Sequence, residues 1–225
     1  QRAPAAGCGD GAVAAETPEI AEDALARIEV EFEEFPPLLD PVEAMAPGAT
    51  LLHPQVMAYR GLPGPLPAPS NAFVQLSWKK GAIEEGFRRA DRIIDNTFHT
   101  PVMHQAYIEP HSCVVHANPS GGAEIWACSK VPFALRDQLA TAFGIAVDKF
   151  LVHPCYIGGD FGGKGDFMDV PAAYQLSLKS GRPVKMVMDY GDEFLAGNPR
   201  HAAIVKVKTG VTNDGRILAH HMDFI

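Results

Sequence analysis

Residues 155–166 read Cys-Tyr-Ile-Gly-Gly-Asp-Phe-Gly-Gly-Lys-Gly-Asp and place five glycines within the eight positions 158–165. A strand-like run at 149–157 leads into this glycine loop, and a helix-compatible run at 169–179 follows, with Gly181 placed to cap it. Because glycine has no Cβ, the backbone N–H groups of such a loop can converge on an anionic or oxygen-rich ligand. The stretch predicts a ligand-binding loop between a strand and a helix.

Two interpretations of the loop follow from its residues alone, without comparison with a related protein. The pattern Gly158-x-x-x-x-Gly163-Lys164 fits most of a phosphate-binding loop, but Gly165 stands where the magnesium-binding Ser or Thr belongs. Asp160 would also place a carboxylate beside the phosphates, which repels them. The second interpretation is a glycine-rich turn that only reverses the chain, the ordinary explanation of an isolated glycine cluster.

Four further motifs accompany the loop. They are His-Gln-Ala-Tyr-Ile-Glu-Pro-His at 104–111, Ala-Glu-Ile-Trp-Ala-Cys-Ser at 123–129, Gly-Arg-Pro-Val-Lys at 181–185 and Gly-Asn-Pro-Arg-His at 197–201. In this order and at these spacings, over roughly residues 12–225, the sequence resembles the molybdopterin-binding large subunit of the xanthine dehydrogenase/aldehyde oxidase family. The loop of that family reads Gly-Gly-Gly-Phe-Gly-Gly-Lys, so Asp160 is a departure from it.

The resemblance implies a molybdenum hydroxylase, which oxidises an aldehyde or N-heterocycle carbon with oxygen from water. The metal is held by the dithiolene of molybdopterin, with or without an attached nucleotide, and the protein supplies no metal ligand. The implied cofactor-binding residues are Gly158, Gly159, Phe161, Gly162 and Gly163. Glu124 matches a position that orients the substrate in xanthine-oxidising members and is the candidate catalytic residue. Glu109 matches a family glutamate whose expected role is structural hydrogen bonding.

The resemblance also implies partners. Electrons leave family members through 2Fe-2S clusters and FAD, so we expect an iron–sulfur subunit, an FAD subunit and a hetero-oligomer acting on a small molecule. The family's second glycine loop, substrate-binding Arg and general-base Glu are expected beyond Ile225, which makes the chain a fragment of a larger subunit. The substrate itself stays open.

Two more departures concern the contacts with cofactor and substrate. Met103 stands where the family often has a Gln that hydrogen-bonds the molybdenum oxo group, and Lys130 stands where it commonly has Gln. Met103 and Asp160 favour a second functional hypothesis, which is a truncated, non-catalytic paralogue that holds cofactor or assists subunit assembly.

The composition of the chain argues against several other classes of protein. The net charge of −8 argues against a nucleic-acid partner, because there is no basic field to neutralise phosphates. No apolar run is long enough to span a bilayer, and no signal peptide is recognisable. The four cysteines are widely spaced without a C-x-x-C pair, which fits reduced thiols in the cytoplasm.

The predicted fold class is α+β with mixed layers, in three segments. Residues 1–35 are the end of a small hammerhead-like domain, 36–70 with nine prolines are a connector, and 71–225 are the first molybdopterin-binding domain, incomplete at its end. Periodicity predicts helices at 18–26, 82–90, 132–143 and 170–179, a turn element at 192–196, and strands at 28–33, 73–78, 92–99, 112–117, 123–128, 150–157, 184–188, 204–208 and 217–224. Phe133, Leu135, Leu139 and Phe143 are the expected core face of the third helix, which Gly144 ends. The turn residues at 118–122 and at 213–215 predict that the strands on either side of each turn form a hairpin.

Overall fold

A computed structural model describes residues 11–59 and 68–225. The helices are α1 (Pro18–Leu25), α2 (Pro41–Ala44), α3 (Ile83–Arg89), α4 (Pro132–Phe143), α5 (Val170–Ser180) and α6 (Tyr190–Ala196). The strands are β1 (Arg92–Thr100), β2 (Ser112–Ala117), β3 (Ala123–Ala127), β4 (Phe150–His153), β5 (Val184–Val187), β6 (Ala203–Val211) and β7 (Ile217–Phe224). The chain is therefore a mixture of helices and sheets, which confirms the predicted fold class.

The chain divides into two compact units. The first comprises Gln1–Glu31 and Val102–His201, and the second comprises Phe32–Pro101 and Ala202–Ile225.

A four-stranded sheet in the order β4-β3-β2-β5 organises the first unit. Strands β2 and β3 form the predicted antiparallel hairpin, β5 pairs antiparallel with β2, and β4 pairs parallel with β3. Alternate residues point to opposite faces of a strand, so Val115 and Ile125 are fully buried on the face that α4 and α5 cover. The core also contains Leu135, Leu139, Phe150, Val170 and Tyr174.

Glycine residues end both core helices. Gly144 follows α4 with φ +66° and Gly181 follows α5 with φ +64°, and each donates its N–H back into the last turn. Both ends agree with the sequence-based expectation. Phe133 does not belong to the core face of α4, because its side chain is 72% exposed, while Leu135 and Leu139 are buried as expected.

The second unit contains an antiparallel sheet in the order β1-β6-β7. The hairpin of β6 and β7 closes through a turn in which the carbonyl of Thr212 accepts from the N–H of Gly215, whose φ is +89°. Helix α3 packs on β7 so closely that a Cβ on Gly86 would lie 2.4 Å from the carbonyl oxygen of Leu218. The predicted hairpin and helix are both confirmed.

Several element predictions were wrong. Residues 28–33 and 73–78 lie outside every strand, and Phe32 and Trp78 are exposed, because no strand in the described part of the chain pairs with them. Strand β4 ends at His153 rather than at 157, so the loop that follows is longer than expected. The turn at 192–196 is a full helix, α6, which begins in a capping box between Asp189 and Asp192.

The proline-rich segment contains short helical turns at Pro41–Ala44 and Val56–Ala58. Asn71 joins parts of this segment, because its amide donates to the carbonyls of Ala44 and Thr50 and its oxygen accepts from the N–H of Leu52. Residues 60–67 of the predicted connector lie outside the described residues.

Across 11–59 and 68–225, no helix is long and apolar enough to cross a membrane.

Candidate functional site

The glycine loop lies within residues 154–169 of the first unit, between β4 and α5. Its backbone passes through positive φ at four points, which are Gly159 (+104°), Phe161 (+47°), Gly162 (+101°) and Met168 (+36°). Only glycine adopts such angles without strain, so the shape of the loop needs support from its surroundings at Phe161 and Met168.

The first support is an ion pair beneath the loop. Glu109 Oε2 accepts from the N–H of Gly158 at 2.8 Å and from Nζ of Lys164 at 2.5 Å. Burial raises the pKa of Glu109, but hydrogen bonds from Lys164 and from the Gly158 N–H outweigh it, so the net pKa is lowered. The structural role expected for Glu109 is what these contacts provide.

Lys164 is turned into the protein. Its side chain is fully buried, and its ammonium lies 4.8 Å from the centre of the Tyr107 ring as well as against Glu109. A phosphate loop presents its lysine to the phosphates, whereas this ammonium is already paired and covered. The geometry therefore disfavours the nucleotide-binding interpretation.

Three of the loop's glycines are needed for packing against residues 105–109. A Cβ on Gly158 would lie 2.8 Å from Cβ of Glu109, one on Gly163 would lie 2.5 Å from Cε1 of Tyr107, and one on Gly159 would lie 3.3 Å from Cβ of Tyr107. Gly162 differs, because a Cβ there would meet nothing within 4 Å. Its glycine is required by φ alone, and the space above it is open to a ligand.

Asp160 supports the loop from within. Its carboxylate accepts from the N–H of Lys164 at 2.6 Å, from the N–H of Gly162 at 3.1 Å and from Nζ of Lys130 at 3.0 Å. Burial acts to raise the pKa of Asp160, but these hydrogen bonds and the charge of Lys130 outweigh it and lower the pKa. Asp160 and Lys130, which both depart from the family pattern, thus form one ion pair.

Residues 197–201 support the outer side of the loop. Arg200 donates to the carbonyl of Phe161 at 3.1 Å, and Asn198 donates to Asp166 at 2.6 Å. Met103 and Arg200 exchange two backbone hydrogen bonds, of 3.1 and 2.8 Å, and so join this segment to the start of the 103–111 stretch. Arg200 therefore has a structural contact in the loop.

A buried polar network lies below Tyr107. Glu193 is fully buried and accepts from the hydroxyl of Tyr107 at 2.6 Å, from Nδ1 of His111 at 3.0 Å and from the backbone N–H of His111. Burial acts to raise the pKa of Glu193, but these donors lower it below the ordinary value. Burial and the bond to Glu193 raise the pKa of Tyr107, which stays protonated.

Sequence reasoning missed this network. Tyr107 and Glu193 are 86 positions apart, and the nearest local signal at Glu193 is the acidic first turn of a helix. An acidic first turn is ordinarily explained by the helix dipole, so it does not indicate a buried carboxylate.

The side chain that the loop presents outward is Phe161, which is 64% exposed. Next to it in the chain lies Gly162, where a Cβ would meet nothing within 4 Å. Gln105 Oε1 is buried without a hydrogen-bond partner among the described residues, at 3.1 Å from where a Cβ of Gly163 would stand. This buried oxygen lies on the side where the loop packs and is not part of its outward surface. On the outward side, the exposed aromatic ring and the open glycine leave room for a flat organic group to rest on the loop.

Glu124 lies elsewhere in the unit. It is on the open face of the sheet, where its carboxylate, 53% exposed, pairs with Nε2 of His153 at 3.0 Å. The His153 ring stacks on Trp126 with 4.4 Å between centres. The structure therefore does not bring Glu124 together with the five loop residues, and it shows this carboxylate half in solvent rather than buried.

A cleft of about 170 Å³ lies on the same open face of the sheet. Its lining includes Glu109, Trp126, Cys155, Tyr156 and Lys185. Within residues 11–59 and 68–225, no group of three or more His, Cys, Asp or Glu side chains is placed to hold a metal ion.

Comparison with known proteins places these features in a family. Residues 66–225 match the molybdopterin cofactor-binding domain. The chain is 33% identical to a probable xanthine dehydrogenase subunit of Bacillus subtilis, over 95% of its own length and 27% of that protein. It is also 33% identical to the probable hypoxanthine oxidase XdhD of Escherichia coli K12, over 95% of this chain and 25% of that protein.

Solved structures agree. The crystal structure of the Cu,Mo-CO dehydrogenase in its carbon monoxide-reduced state matches 92% of this chain with a TM-score of 0.77 and 26% identity, over 26% of that chain. The chain thus spans about a quarter of the length of the relatives that it matches.

Proposed function

Because this chain belongs to the family of molybdopterin cofactor-binding domains, we propose that its glycine loop holds molybdopterin in the catalytic subunit of a molybdenum hydroxylase. The observation that carries the proposal is the adjacent position of Gly162 and Phe161 on a loop that hydrogen bonds hold in place. The Cα of Gly162 faces open space at φ +101°, and the ring of Phe161 is exposed.

Each loop residue has a proposed part. Gly162 lets the cofactor approach the backbone, and Phe161 forms an apolar wall that keeps water from one side of it. Gly158, Gly159 and Gly163 act through packing, because they let the loop lie directly on Glu109 and Tyr107. Lys164 keeps Glu109 ionised and the loop closed.

The bound cofactor would supply two-electron oxidation of an aldehyde or N-heterocycle carbon, with oxygen from water. Glu124 enters the proposal through the family resemblance, as a residue that orients substrate. Its pairing with His153 supports a polar, charged contact there, and its exposure allows a small molecule to reach it.

The wider assembly is also proposed. The relatives include a protein named as a xanthine dehydrogenase subunit, which supports a hetero-oligomer. The family resemblance supports an iron–sulfur subunit and an FAD subunit as its partners, and widely spaced cysteines without a C-x-x-C pair fit reduced thiols in the cytoplasm. We propose the division into a hammerhead-like end at 1–35, a connector at 36–70 and the first cofactor domain at 71–225.

Metal and pterin content test the proposal. The full-length protein should be purified from cells that make molybdopterin, and molybdenum and pterin should be quantified per subunit. Phe161→Ala and Gly162→Ala should lower both several-fold, while Phe133→Ala, which removes another largely exposed phenylalanine from α4, should not. Unchanged content in both loop variants would overturn the loop assignment. A parent protein without either component would leave the non-catalytic paralogue as the better hypothesis.

A further inference from the structure

We propose that Asp160, together with Lys130, is a positioning residue that holds the glycine loop in its binding shape before any cofactor arrives. The proposal deepens the function above and rests on it for the identity of the ligand, but the ordering of the loop is a property of this chain alone.

The first step is the pattern of donors. One carboxylate oxygen of Asp160 accepts from the Lys164 N–H at 2.6 Å, and the other accepts from the Gly162 N–H at 3.1 Å and from Lys130 Nζ at 3.0 Å. The backbone carbonyl of Asp160 adds a fourth contact by accepting from the Gly163 N–H at 2.8 Å. A single residue thus receives the N–H groups of three consecutive loop positions.

The second step is that the loop needs such a constraint. A glycine-rich segment has large conformational freedom when unbound, and a ligand that orders it loses affinity by that entropy. Phe161 also has a positive φ, which a non-glycine residue keeps only where its surroundings enforce it. Asp160 and the Gly162 N–H flank Phe161 on both sides and close a short ring around it.

The third step distinguishes the contacts of Asp160 from the buried ion pair of Glu109 and Lys164. Glu109 binds the N–H of Gly158 and the side chain of Lys164, whereas Asp160 binds the backbone N–H groups of residues 162–164. Lys130 is the outer member of the central pair, with its side chain 38% exposed. It holds the carboxylate charge in place without covering the open side of Gly162, where a Cβ would meet nothing within 4 Å.

The test measures amide exchange in the full-length protein made in cells that cannot synthesise molybdopterin. The variants are Asp160→Asn, Asp160→Gly, Lys130→Ala and Lys130→Arg. Asp137→Asn is the matched control, since Asp137 forms an exposed ion pair with Arg136 on α4. Exchange of the Gly162 and Lys164 amides is read by NMR, and molybdenum content is measured separately on protein from cofactor-producing cells.

In the parent, both amides should be protected without cofactor. Asp160→Gly should accelerate their exchange by about tenfold or more, because it removes the charged acceptor, and Asp160→Asn should fall between it and the parent. Lys130→Ala should have a smaller effect, Lys130→Arg should restore protection, and Asp137→Asn should change nothing. In Asp160→Gly, protection should return only when cofactor is bound, which a purely structural role would not produce.

Fast exchange of both amides in the cofactor-free parent, or unchanged exchange in Asp160→Gly, would overturn the inference. If Asp160→Gly fails to fold, the Lys130 pair of variants decides, and equal exchange in Lys130→Ala and the parent would count against the proposal. Absence of molybdenum from the parent protein would instead refute the proposed function and leave the amide result standing.

Discussion

The ammonium nitrogen of Lys164 lies 2.5 Å from Oε2 of Glu109, with the lysine side chain fully buried and the carboxylate one third exposed. The same ammonium lies over the ring of Tyr107, whose hydroxyl donates to the buried Glu193. Two acidic side chains are therefore linked through one aromatic ring, and the glycine loop is built on top of this stack.

Replacing Lys164 by Met should destabilise the protein by about 2–3 kcal/mol in urea unfolding. Loss of one partner from a buried ion pair leaves the other charge uncompensated, and here the partial exposure of Glu109 lets water recover part of the loss. The double variant Lys164→Met/Glu109→Gln should lose less free energy of unfolding than the two single variants lose together. The reason is that no charge is then left unpaired.

A surface pair provides the control for this measurement. Arg182 and Glu16 form an ion pair in which both side chains are more than 70% exposed. Arg182→Ala should change the free energy of unfolding by no more than about 0.5 kcal/mol. A Lys164→Met variant as stable as Arg182→Ala would show that the buried pair does not hold the loop.

The two glycines at 162 and 163 should respond differently to the same substitution. Gly163→Ala places a Cβ 2.5 Å from Cε1 of Tyr107, so the ring has to move, at a cost of about 1–3 kcal/mol. Gly162→Ala meets open space and carries only the strain of φ +101°. Combining each with Tyr107→Leu separates the causes in urea unfolding.

Tyr107→Leu should relieve part of the cost of Gly163→Ala, because the clashing ring is gone, and it should add to the cost of Gly162→Ala without coupling. Equal coupling of both glycines to Tyr107 would contradict the assignment of Gly163 to packing and of Gly162 to conformation.

Acid should weaken the fold through Glu193. Its pKa is lowered in the folded protein, so the stability that its ionised form contributes is complete above its ordinary pKa of 4.5 and is lost as the pH falls through the lower folded value. Glu193→Gln should be less stable than the parent at pH 7, since an amide offers one acceptor oxygen to three donors.

The measurement is urea unfolding between pH 3 and pH 7. The gap between the parent and Glu193→Gln should narrow toward pH 3, because protonation removes the charge that the variant already lacks. Glu22→Gln on the exposed helix α1 serves as the carboxylate control and should leave the pH profile unchanged. A gap that is constant across the whole range would contradict the ionised state of Glu193.

The sequence was most informative where its signals are local. The turn residues at 118–122 predicted the hairpin of β2 and β3, and Gly144 and Gly181 marked the ends of α4 and α5. The strand patterns at 28–33 and 73–78 failed, because such a pattern identifies residues suited to a strand but not the neighbour that must pair with it.

In the candidate site, too, the sequence predicted local features but not contacts between distant residues. The glycine pattern identified the loop, and the resemblance assigned cofactor binding to Gly158, Gly159, Phe161, Gly162 and Gly163. It did not distinguish Phe161 and Gly162, which face outward, from the three glycines that pack on Glu109 and Tyr107. The sequence could not show that Asp160 meets Lys130 or that Glu193 meets Tyr107, since these pairs are 30 and 86 positions apart. Such contacts depend on how the elements pack, and no local periodicity encodes them.

Thiol labelling offers an independent check on the sheet beside the loop. Cys113, Cys128 and Cys155 all line the cleft beside the loop, but Cys155 is exposed, whereas Cys113 and Cys128 are buried. Burial is the main cause that raises the pKa of the Cys113 thiol to about 12, which leaves it without a reactive thiolate at neutral pH. Among Cys113, Cys128 and Cys155, a disulfide reagent at pH 8 should therefore label Cys155 quickly, as read by mass spectrometry of the labelled peptides, and Cys155→Ser should remove that label. Cys113→Ser should leave the labelling of Cys155 intact, and fast labelling of Cys113 in the folded protein would contradict the packing of β2 against α5.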